Sequence, residues 1–65
     1  MLYRVLGKDE HDKFYSIDIN AKTPQQANKL AVGNIIKEVI KIMTIKNDIP
    51  FKVWEIKDNK LIRIQ

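Results

Sequence analysis

The chain has 65 residues and no cysteine, with 45% apolar and 31% charged side chains and a net charge of +4; these are the proportions of one small folded domain. The missing cysteines exclude disulfides and the common Cys-based zinc sites, and a single histidine argues against a transition-metal site. No apolar run reaches the ~18 residues of a membrane span, and a core this small needs a staple, of which self-association is the one left.

In chain order, the first strand is expected over residues 2–6 (LYRVL) and the second over residues 14–21 (FYSIDINA), joined by the charged loop GKDEHDK. In the second, Tyr15, Ile17, Ile19 and Ala21 alternate with Ser16, Asp18 and Asn20, the period of a half-buried strand. Pairing Leu6 with Phe14 puts Met1, Tyr3, Val5, Tyr15, Ile17 and Ile19 on the core face. Leu2, Arg4, Leu6, Phe14, Ser16 and Asp18 then share the other face.

TPQQA is the strongest local signal. Thr23 is an N-cap, Pro24 suits the first helical position, and Gln26 completes a capping-box pattern. The helix is expected to run from Pro24 to about Met43 or Thr44, with its apolar stripe changing direction at Gly33-Asn34. IKNDIP then reads as a connector, residues 51–57 as the third strand and residues 61–65 as the fourth. A three-residue turn, DNK, pairs Glu55 with Arg63 and keeps the carboxylate out of the core.

The expected fold is α+β, in the order ββαββ, with a single helix packed on one face of a four-stranded sheet. A right-handed crossover suits a β-grasp-like strand order with strands one and four parallel at the centre. Two strands followed by TPQQA and a helix loosely resemble the antitoxin half of HicA/HicB-type systems. The third strand and Gly-rich turn of that family are absent, and none of its function is carried over.

A 20-residue helix is ~30 Å long and overhangs strands of five or six residues. Ile40, Met43 and Ile45 are therefore expected to make a contact outside the monomer. Leu2, Leu6, Phe14 and Val53 are expected on the open face of the sheet as further interaction residues. Lys37, Lys41, Lys46 and Lys52 form a candidate basic surface, and the alternative they raise is nucleic-acid binding.

KDEHD has no calcium-loop spacing, VLGKDEH is no phosphate loop, and Ser16 has no evident histidine partner. No catalytic residue, metal, cofactor or small-molecule substrate is assigned. The expectation is a non-catalytic protein–protein interaction module, homodimeric and cytoplasmic. It fits a phage or prophage accessory protein that binds or inhibits a host factor.

Overall fold

The computed structural model describes all 65 residues, in the order β1 (Leu2–Lys8), β2 (Phe14–Asn20), α1 (Pro24–Val32), β3 (Glu38–Lys46), β4 (Ile49–Lys57) and β5 (Lys60–Arg63). The first two strands keep their expected faces, but their register differs by two residues. Lys8 rather than Leu6 pairs with Phe14, Val5 pairs with Ile17 and Tyr3 with Ile19. A slip of two preserves every face, whereas a slip of one would invert them. β1 reaches Lys8 because Asp9 organises a short loop. Its backbone N–H donates to Lys13 O (3.0 Å), and its carboxylate accepts from the N–H groups of His11 and Lys13 (2.8 and 3.0 Å).

The helix starts as the sequence requires. Thr23 Oγ1 accepts from Gln26 N–H at 3.1 Å, and Gln26 Oε1 reaches back to Lys22 N–H at 2.7 Å. It does not end as expected. α1 stops at Val32, Gly33 caps it, and the segment expected as its second half is the strand β3. Seven of the twelve residues from Ile35 to Lys46 are β-branched, which lowers helix propensity and favours a pleated surface. Ile36, Val39, Ile40 and Met43 follow the helical spacing i, i+3, i+4, i+7, and a bulge explains why. Gly7 pairs with Val39 and Leu6 with Lys41, which leaves Ile40 as an extra residue in β3. Beyond the bulge the period is two: Ile42 and Thr44 are buried, while Lys41, Met43 and Ile45 point the other way.

IKNDIP is a hairpin rather than a connector. Asn47 and Asp48 both have positive φ (52° and 62°), and so do Asp58 and Asn59 (53° and 60°). Each pair is the two-residue turn that matches strand twist. The second turn sets Lys57 opposite Lys60, Glu55 opposite Ile62 and Trp54 opposite Arg63, in place of the expected three-residue turn. Glu55 tolerates this because its side of the sheet is not covered. Phe51 is a second bulge residue, between the pairs Thr44–Lys52 and Ile45–Pro50. The buried Thr44 hydroxyl accepts from Lys52 N–H there, at 2.9 Å.

The sheet therefore has five strands, not four, in the order β2-β1-β3-β4-β5, and every neighbouring pair is antiparallel. The β-grasp-like order with parallel central strands does not occur. β3, formed from the presumed helix, lies beside β1; β2 and β3 are both antiparallel to β1 and so parallel to each other, and α1 joins them as a crossover over β1. The helix packs over β1, β2 and β3. Only Ala27 and Ala31 of α1 are buried, so small side chains bring it close to Tyr3, Val5, Ile36, Val39 and Ile42. Trp54 packs at the margin of this core, its ring 6.1 Å from that of Tyr3.

Candidate interaction surface

One helix cannot cover both faces of a sheet. The register assigns the uncovered face row by row, because cross-strand partners share a face. One row reads Asp18, Arg4, Met43, Val53 and Ile64; the next reads Ser16, Leu6, Lys41, Glu55 and Ile62. Leu2 and Ile45 lie on the same face beside the first row, and Phe14 at its corner. Six of the seven residues singled out for interaction thus share one face: Leu2, Leu6, Phe14, Met43, Ile45 and Val53. Ile40 does not join them. It lies on the helix side, and the helical overhang that suggested it does not exist.

Availability differs among the six. Phe14 is 69% exposed, whereas Val53 is 8% exposed, screened by its neighbours on the same face. Val53 is part of the sheet's packing and not a free contact. Ile62 and Ile64 are 44% and 50% exposed and belong to this face, although the three-residue turn would have put them in the core. The signal that finds them is Asp58-Asn59, a pair in which both residues tolerate the left-handed region.

Charge on this face is largely internal. Arg4 holds Asp18 with two hydrogen bonds (2.9 and 3.2 Å). That contact raises the Arg4 pKa and lowers that of Asp18. Lys41 stands opposite Glu55. The four candidate basic residues do not form one surface. Lys37 precedes β3 beside the helix, Lys41 is on the open face, Lys46 is at a hairpin end, and Lys52 is in register with Thr44 on the helix side.

A groove of about 960 Å³ runs between α1 and the β4–β5 hairpin, lined in part by Lys29, Val32, Ile40, Ile56, Lys60 and Leu61. No cluster of three or more His, Asp or Glu side chains is placed to hold a metal ion. No helix is long and apolar enough to cross a membrane. No protein family matches the sequence, and no curated protein or solved structure is significantly similar to the chain.

Proposed function

We propose that the chain is a non-catalytic protein–protein interaction module, working as a homodimer, that engages a second protein through the open face of its sheet. The observation that carries this reading is the gathering of Leu2, Leu6, Met43, Ile45, Ile62 and Ile64 on one uncovered face. Contiguous exposed apolar surface rimmed by polar groups marks interaction sites. Arg4 and Asp18 neutralise each other within the face, and the chain as a whole carries +4. A partner whose apolar patch is bordered by carboxylates meets that charge, which speeds encounter and fixes orientation. The dispersal of Lys37, Lys41, Lys46 and Lys52 over both faces favours a protein over a polyanion.

A photoreactive residue placed at Ile62 tests this in cells of the source organism, with one at Gln25 on the helix as control. A protein adduct is expected from position 62, suppressed by Met43→Lys and absent from position 25. No adduct at position 62, an adduct from position 25 alone, or one that nuclease digests overturns the reading.

A further inference from the structure

The two edges of the sheet are unlike. β5 has four residues and carries Lys60 and Arg63, and Arg63 Nε turns back onto Gln65 O at 3.0 Å. Short length and positive charge are the usual protections of an edge. β2 has neither protection. It runs seven residues without proline or lysine, and its one charge, Asp18, is already held by Arg4.

The ladder between β1 and β2 shows which backbone groups that edge leaves free. Met1 and Ala21 exchange both backbone hydrogen bonds (3.2 and 3.0 Å), and Asp9 N–H bonds Lys13 O in the same phase. Bonded and non-bonded pairs alternate along an antiparallel ladder. Tyr15, Ile17 and Ile19 therefore turn their backbone groups toward β1. The N–H and C=O groups of Phe14, Ser16, Asp18 and Asn20 point outward, with no partner in the chain.

We propose that β2 pairs antiparallel with β2 of a second copy, with Ile17 at the two-fold axis. The proposal rests on the homodimer reading and says where that dimer forms. In this register Ser16 stands opposite Asp18 of the second copy, and Phe14 opposite Asn20. All four outward residues fall in hydrogen-bonded pairs, giving about eight backbone hydrogen bonds. The close, non-bonded positions hold Ile17 against Ile17 and Tyr15 against Ile19, half-buried apolar side chains on the helix side. A one-residue shift puts outward groups against inward ones. The two-residue shift centred on Asp18 sets two like charges opposite each other, and the one centred on Ser16 leaves Asn20 unpaired. Two-fold pairing uses up the open edge on both chains, so assembly stops at the dimer. Two five-stranded sheets become one of ten strands. Both helices lie on one side of it and both open faces on the other, which doubles the surface offered to a partner.

The test is solution mass by light scattering from 1 to 100 μM, for the unmodified chain and for Ser16→Pro. The substitution removes an N–H that only the second copy would use, at an edge position where proline is tolerated. The unmodified chain is expected at twice the monomer mass and Ser16→Pro at the monomer mass, with the circular dichroism unchanged. A Ser16→Pro chain that stays dimeric overturns the edge pairing and leaves the homodimer reading standing. An unmodified chain that is monomeric throughout overturns both. If Ser16→Pro does not fold, amide exchange in the unmodified chain decides. Ser16, Asp18 and Asn20 amides should be protected in the dimer, and exchange at the rate of a free edge while the mass is dimeric overturns the proposal.

Discussion

Gly7 sits on β1 between Tyr15 of β2 and Val39 of β3, where the backbone entering β3 comes close. A Cβ at this position would lie 2.5 Å from Ile36 Cγ2 and closer still to the carbonyl oxygen of Glu38. Ile36 is fully buried and the carbonyl belongs to a strand, so neither yields easily. Gly7→Ala is expected to destabilise the protein by about 2 kcal/mol, within the usual range for overpacking. That is a large part of the ~3–10 kcal/mol expected for a domain of this size. Urea unfolding measures it, and an unchanged midpoint would show that β3 does not approach β1 in this way. Asp9 gives a second prediction at this scale. The N–H groups of Lys13 and then His11 lower its pKa, as Arg4 lowers that of Asp18. A carboxylate with a depressed folded pKa contributes stability above its unfolded value of about 3.9, and that contribution is lost as pH falls through the folded value. The chain should therefore melt higher than its Asp9→Asn, Asp18→Asn double variant at pH 7. The gap should shrink below about pH 4. It should also be small, because both groups are exposed. A gap that widened toward acid would contradict the assigned contacts.

At the scale of elements, the two hairpin turns and the two bulges set the registers that the open face depends on. Asn47-Asp48 and Asp58-Asn59 hold four non-glycine residues at positive φ. Asp48→Gly creates Asn-Gly, the sequence this turn favours most, and should stabilise the protein by about 0.5 kcal/mol. The check is a higher urea midpoint at unchanged slope; a lower midpoint would mean a different turn geometry. The β1–β2 faces and the start of α1 were legible in the sequence, because strand alternation and capping are short-range signals. The identity of β3 was obscured by Ile40. One extra residue turns a period of two into an apparent period near 3.6, and the lysines spaced through the segment imitate the solvent side of a helix. The density of β-branched residues was the contrary signal. Gly33-Asn34 marked the end of α1, where the Asn34 side-chain oxygen accepts from Ile35 N–H (2.9 Å) and closes the turn.

For the whole molecule, the difference between a four- and a five-stranded sheet decides where interaction surface exists. With a long helix, spare apolar residues overhang the end of the sheet. With β3 in the sheet, the same residues divide, Ile36, Val39 and Ile42 into the core and Met43 and Ile45 onto the uncovered face. Already legible in the sequence were the α+β class, the capped start of one helix, and a first hairpin with a buried and an open face. These follow from composition and from neighbours a few residues apart. The strand order, the separation of Ile40 from Met43, the screening of Val53 and the presence of Ile62 and Ile64 on the open face emerged with the assembled sheet. Each depends on which strands become neighbours and on the register between them. One residue, in a turn or a bulge, moves a whole strand's side chains from one face to the other.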